Sequence, residues 1–227
     1  MKYTVIFLTL LAIISSLHAQ NVKQREREIL AKNIEFYRTG RYEKAEQNFA
    51  VMITRLPSSS YYTTNYLMYT KTIYKLGKYG ESIEQAKQFI ELFPKSTYRD
   101  DILYVMGNSY FQLQRYGTAI KSWDRALAIS DNPQLTDRLG YLISETVHYK
   151  INNNEYDELN KDISTNDGQV LLAIGFAEKQ IAAGNAFDAN EKLNQIIKQY
   201  PDSRFTARAR DLLQTRSRGR ISGRDGR

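Results

Sequence analysis

The stretch YKLGKYGESIEQAKQFIELFPKS, Tyr74 to Ser96, decides the fold because its signature LGKY recurs on either side. It returns as TGRY at Thr39 to Tyr42 and as LQRY at Leu113 to Tyr116, so that Tyr42, Tyr79 and Tyr116 are 37 residues apart on both steps. A fixed period of that size marks a stack of identical helical units. Each unit opens with a helical pattern carrying aromatic residues, at Phe36/Tyr37, Tyr74 and Tyr110/Phe111. A turn at Gly40, Gly77 or Gln114 follows, then the tyrosine, and three residues later a small side chain, Ala45, Ser82 or Ala119. A second amphipathic pattern then runs to Pro57, to Pro94, or in the third unit to Pro133. Glycine suits the left-handed position that closes a helix, and proline prevents the next one from continuing. The spacing therefore predicts helix hairpins, with the small residue placed where two antiparallel helices cross closely. A hairpin has only a neighbouring hairpin against which to bury its second face.

The pattern resembles the tetratricopeptide repeat family. The third unit matches best, with Gly107, Tyr110, Ala119, Trp123 and Ala126 at the family's small, aromatic, small, aromatic and small positions. The first unit keeps Ala45, Phe49 and Pro57 but places Asn33 and Met52 where small residues are usual. In the second, Ala86 and Phe89 reverse the usual large-then-small order, which predicts local repacking. Further on, Gly184, Ala189, Leu193, Ile196 and Pro201 restore the glycine-to-proline spacing of 17 seen from Gly40 to Pro57 and from Gly77 to Pro94. Between lies an irregular unit in which Tyr156 follows Tyr116 by 40 residues and Leu159 replaces the small residue. STNDG, Ser164 to Gly168, reads as the turn before the next helix. The resemblance, which covers Gln24 to Thr215, implies an all-α, right-handed superhelical solenoid of about five hairpins. A capping helix over about Phe205 to Thr215 would close it.

The first nineteen residues, 1–19, have another character. Lys2 gives a positive start, Val5 to Ile14 is an uncharged and mostly apolar run, and a small or polar stretch leads to Ala19. This is the build of a secretory signal cut after Ala19, with Leu17 leaving Ser16 as the alternative cleavage point and an uncleaved anchor as the alternative role. About ten apolar residues fall short of a bilayer core of roughly 30 Å, and no later segment approaches a span. The sequence has no cysteine, so a disulfide framework, a thiolate metal site and a lipid-bearing cysteine are all excluded from it.

Without residue 2 the basic count falls to 31 against 25 acidic side chains, a net +6. Residues 216–227, RSRGRISGRDGR, hold five arginines and one aspartate, or +4 of that excess. With Ile221 as its only large apolar residue, this tail is expected to stay disordered. It reads as a solvated tail, a contact to a membrane or other anionic surface, or a linker; an exported chain has little occasion to meet nucleic acid. The organisation expected is therefore a signal at 1–19, helical repeats at 20–215 and an Arg/Gly-rich tail at 216–227.

Residues for chemistry are scarce. Beyond the signal the one histidine is His148, in RLGYLISETVHYK, and no phosphate loop, nucleophile elbow or paired histidines occur. Asp100 and Asp101 suit the positive end of a starting helix better than a metal, and Asp202-Ser203 after Pro201 reads the same way. No catalytic, cofactor or metal site is predicted.

Surface recognition remains. In tetratricopeptide solenoids the first helix of each unit lines the concave groove. Position by position the resemblance places Leu30, Ile34 and Tyr37 there in the first unit, and Leu67, Lys71, Tyr74 and Lys75 in the second. The third contributes Tyr104, Asn108, Phe111 and Gln112. Tyr37, Tyr74 and Phe111, again 37 apart, read either as an aromatic stripe for an extended peptide or apolar helix, or as core between repeats. Lys71, Lys75 and Asn108 only partly echo the family's carboxylate-binding subgroup, because the third unit lacks the basic pair.

The run FPKSTYRDDILYVMGNSYFQLQRYGTAI is similar to envelope members of the family, the outer-membrane assembly component BamD and periplasmic Tol-Pal-associated proteins, in which P-x-S precedes an acidic helix. The missing lipid-bearing cysteine is a departure from BamD. The resemblance implies an exported, non-catalytic scaffold for a protein or peptide partner in the bacterial envelope, periplasmic or secreted. The alternative is the repeat module of a penicillin-binding-protein activator-like system whose solute-binding-like domain is missing or encoded separately. An unrecognised cell-wall enzyme using carboxylates alone is a third class.

Overall fold

A computed structural model describes the backbone of residues 2–163 and 165–222, and side chains within 16–163 and 165–214. The apolar run of the leader and the arginines after Thr215 thus lie, as side chains, outside the described residues. Among the described residues the chain is all-α, with eleven helices and no strand. They form two compact units, Met1–Tyr98 and Arg99–Arg227. The first holds α1 (Lys2–Arg38), α2 (Tyr42–Arg55), α3 (Tyr62–Lys75) and α4 (Tyr79–Leu92). The second holds α5 (Arg99–Gln112), α6 (Tyr116–Leu127), α7 (Pro133–Lys150), α8 (Asn153–Asp162), α9 (Asn166–Ala182), α10 (Ala186–Gln199) and α11 (Thr206–Ser222). The expected four regular hairpins, one irregular hairpin and closing helix are all present.

The turns explain the signature. Gly40, Gly77 and Gly184 adopt φ of 75°, 76° and 86°, and Gln114 takes the same left-handed conformation at 59°. At each, two bonds close the helix: Gly40 N to Tyr37 O with Arg41 N to Phe36 O, Gly77 N to Tyr74 O with Lys78 N to Ile73 O, Gln114 N to Phe111 O with Arg115 N to Tyr110 O, and Gly184 N to Ile181 O with Asn185 N to Gln180 O. This is the Schellman arrangement, which satisfies carbonyls left without helical partners. At three of the four turns the two residues at the ends also touch through their side chains. The Arg41 guanidinium lies 4.7 Å from the Phe36 ring centre and Arg115 lies 4.9 Å from that of Tyr110, while Asn185 Nδ2 donates to Gln180 Oε1 at 2.9 Å. The tyrosine that follows packs on the aromatic residue five positions earlier: Tyr42 on Tyr37, Tyr79 on Tyr74 and Tyr116 on Phe111, at 5.6, 5.6 and 5.2 Å.

The small residues Ala45, Ser82, Ala119 and Ala189 are fully buried where first and second helices meet. In the first unit, Leu30, Phe36, Ala45 and Phe49 form a cluster under Tyr61, Met68 and Tyr69. The reversed pair of α4 is accommodated as predicted, because Phe89 joins Tyr66 and Phe93 in an aromatic cluster with ring centres 5.0–6.0 Å apart. In the second unit, Gly107 lets the Trp123 ring lie against the α5 backbone; a methyl group there would overlap the indole.

The irregular hairpin follows from its sequence. Asn152 and Glu155 form a reciprocal capping box that starts α8 right after Ile151 ends α7. With Leu159 in the small position, α8 leans on α6 and α9, and Leu159 Cδ2 sits over Gly117 of α6. The close approach moves to α7 and α9, where Gly175 faces the Ser144 carbonyl. Val170, Ala173, Ile174, Ala177, Ala189, Leu193 and Ile196 then form a core that Ala209, Leu212 and Leu213 of α11 cover.

The serines after the second helices tie the end of a hairpin back to its own first helix. Ser59, Ser96, Ser130 and Ser203 each accept from the backbone N–H two residues on. Three of them also donate to an acid on the first helix of the same hairpin: Ser59 to Glu26 within α1 (2.8 Å), and Ser130 and Ser203 to Asp100 and Asp167 in the first turns of α5 and α9 (both 2.7 Å). Asp100 also accepts from the Asp101 N–H at 2.8 Å, which places it in the helix-starting role expected for it.

Urea unfolding of two substitutions tests the turn and the crossing. Gln114→Gly relieves a left-handed side chain that is exposed, and is expected to stabilise by about 0.5–1 kcal/mol. Gly107→Ala pushes on a fully buried indole, and is expected to cost about 1–3 kcal/mol.

Candidate protein-interaction surface

Of the groove residues read from the sequence, seven fall in the first unit and four in the second, and Ile34 is half-buried against the first unit's core. In the first, Tyr37, Lys71 and Tyr74 are half-buried and Lys75 is exposed. Tyr37 and Tyr74 each pack one side of the ring on the tyrosine of their own turn. Lys75 Nζ lies 6.0 Å from the Tyr74 ring centre, close enough for a weak cation–π contact. Leu30 and Leu67 are a correction to the reading: at 7% and 4% exposure they are core and not groove. Leu30 belongs to the cluster with Phe36, Ala45 and Phe49.

In the second unit, Tyr104, Asn108 and Phe111 are half-buried and Gln112 is exposed. Phe111 packs on Trp123 at 5.8 Å as well as on Tyr116. Asn108 Oδ1 accepts from the Trp123 indole N–H at 3.1 Å, so this side chain positions the core tryptophan. Tyr104 is oriented by its neighbour in the next hairpin, with Arg138 NH1 donating to its hydroxyl at 3.3 Å.

Arg138 leads to residues that the sequence reading missed. The α7 positions Leu139, Ile143 and Val147 are buried, which turns Tyr141 and Tyr149 outward at 59% and 67% exposure. The ring of His148 stacks on Tyr149 at 4.1 Å and 13°. Tyr104, Arg138, Tyr141 and Tyr149 are thus aromatic and guanidinium groups on α5 and α7 within one unit. The signal was available in RLGYLISETVHYK, where the buried positions repeat every three to four residues and leave both tyrosines off the apolar face.

Two polar clusters lie apart from this surface. Around the start of α9, Asp167 accepts from Ser203 and from Arg204 Nε (2.5 Å), and Arg204 continues to Leu127 O (3.0 Å) and Thr136 Oγ1 (3.4 Å). Asp124 lies beneath, bonded by Thr165; burial pushes its carboxyl up to about 6, with the Asp167 charge adding and the Thr165 bond opposing. Between α8, α9 and α10, Tyr156 packs on Phe176 at 4.5 Å and Lys192 Nζ stands 5.5 Å from the Tyr156 ring centre. Burial lowers the Lys192 pKa, and Asp157 works the other way. Among the described residues no group of three or more histidine, cysteine, aspartate or glutamate side chains is gathered for a metal. Nor, among them, is any helix long and apolar enough to cross a membrane.

A tetratricopeptide repeat family model matches residues 169–203, the α9–α10 hairpin. Among solved structures, a tetratricopeptide repeat protein from Parabacteroides merdae is 17% identical, with 82% of this chain and 71% of that chain covered and a TM-score of 0.47. Kinesin light chain TPR-like repeats from Podosopora anserina are 14% identical, with 77% and 94% covered and a TM-score of 0.46. No curated protein matches the chain. The family model described as YfiO, outer membrane lipoprotein, matches residues 23–138, from the first hairpin into α7 and half of the sequence. The chain belongs to the YfiO family.

Proposed function

We propose that this protein is an exported, non-catalytic scaffold that binds another protein in the bacterial cell envelope. The observation that carries the reading is the outward face of α5 and α7, where Tyr104, Arg138, Tyr141 and Tyr149 meet solvent and neither exposed tyrosine serves the core. Tyrosine and arginine are the residues that most often dominate binding energy, because they offer large, rather rigid contact areas with polar ends. The half-buried rings of Tyr37, Tyr74 and Phe111, together with Lys71, Lys75, Asn108 and Gln112, are the secondary candidates.

Family membership supports the envelope location, and the signal-like composition of residues 1–19 supports export. The sequence contains no cysteine to carry a lipid, so periplasmic residence with transient membrane contact through the +4 tail is the reading we favour.

In-cell photocrosslinking tests it, with the reactive residue placed at Tyr104, Tyr141 or the exposed α4 position Lys87. One envelope protein captured from both tyrosine sites and not from Lys87, with capture reduced at least about tenfold by Arg138→Ala, is the expected outcome. Equal capture from all three positions would contradict it.

A further inference from the structure

The cluster at the start of α9 holds a carboxylate that the proposed surface does not use. Asp124, on α6, is only 4% exposed. It accepts a hydrogen bond from Thr165 Oγ1. Thr165 is also the residue that caps α9, since the same hydroxyl oxygen accepts from the Gly168 N–H at 2.9 Å. A methyl group on Gly168 would overlap the Asp124 carboxylate, so α6 and the first turn of α9 are in direct contact there.

The charged groups around it come from each neighbouring element. α9 supplies Asp167, whose charge opposes ionisation of Asp124 and is itself engaged by Arg204 and Ser203. The segment before α11 supplies Arg204, which is directed to Asp167, Thr136 and the Leu127 carbonyl. On α6 itself, Lys121 stands one turn earlier and is paired with Asp162 of α8 at 2.5 Å. The nearby α7 group in the network is Thr136, which is uncharged. No cation in this set is committed to Asp124, whereas Asp167 has one.

We propose that this cluster is an acid-tightened latch, in which proton uptake by Asp124 secures the first turn of α9 on α6 and proton loss loosens it. The direction follows from where the proton is held more tightly. The Asp124 carboxyl moves from an ordinary 3.8 to about 6 in the folded chain. A carboxyl raised in this way gives stability that grows as pH falls from about 6 toward 3.8, and that is lost as pH rises through the same window. Between pH 7.5 and pH 5.0 the closed form should gain about tenfold over the open one. Paired acids in folded proteins commonly give the opposite slope, so the sign is diagnostic.

Hydrogen exchange on the full-length chain reads this latch at the Gln169 amide, which bonds the Thr165 carbonyl at 3.0 Å. After correction for the intrinsic pH dependence of exchange, protection should be about tenfold greater at pH 5.0 than at pH 7.5. In Asp124→Asn that difference should disappear, with high protection at both values. Thr165→Val provides a second variant: it removes a bond that favours the ionised form, so the midpoint of the pH dependence should move upward. Protection that is equal or greater at pH 7.5 in the unaltered chain would overturn the proposal. So would an unchanged pH dependence in Asp124→Asn, or a Thr165→Val midpoint that stays put or moves down.

Discussion

The close crossing of paired helices at one small residue is the constraint on which the rest of the structure depends. Ala45, Ser82, Ala119 and Ala189 have no solvent exposure, and each follows its Schellman turn by the same distance. A closed turn aims the second helix back along the first, and the small side chain lets the two axes approach. Large residues can then fill the outer faces, as Phe49, Phe89, Trp123 and Leu193 do. The irregular hairpin shows the rule by its exception. With Leu159 in the small position, α8 rests on α6 and α9, and Gly175 supplies the close approach between α7 and α9 instead.

The serine–acid ties act on the next level. Burial drives the two helices of a hairpin together without fixing their register, whereas a hydroxyl bonded to a particular carboxylate does fix it. Glu26, Asp100 and Asp167 therefore serve as receivers for Ser59, Ser130 and Ser203. In the α3–α4 hairpin, whose first helix has no acid in its first turn, Tyr98 and Thr64 make a comparable hydroxyl contact at 3.2 Å. This gives a physical reason for the P-x-S motif and for the acids that begin α5 and α9.

Local features were legible in the sequence, while long-range pairings were not. The 37-residue period, the glycines with positive φ, the substitution of Gln114 for glycine and the helix-ending prolines all act within a few residues of themselves. The ties of Ser130 to Asp100 and of Arg204 to Asp167 join residues 30 and 37 apart, with no local signature. The groove residues divide along the same line. Leu30 and Leu67 are core, and Asn108 is engaged by Trp123. The most exposed aromatic residues of the second unit's first helices, Tyr141 and Tyr149, lie in the hairpin whose departure from the repeat hid them. A solenoid's binding face is set by which side chains packing leaves over, and one sequence reveals that only where the repeat is regular.

The most direct test of the central constraint is the urea midpoint of Ala119→Leu beside that of Ala207→Leu, an exposed position on α11. If close crossing governs the fold, Ala119→Leu should lose about 1–3 kcal/mol or more and Ala207→Leu less than about 0.5. Equal stability of the two variants would mean that the helices can separate without penalty, and that the small residue at the crossing is not what the fold depends on.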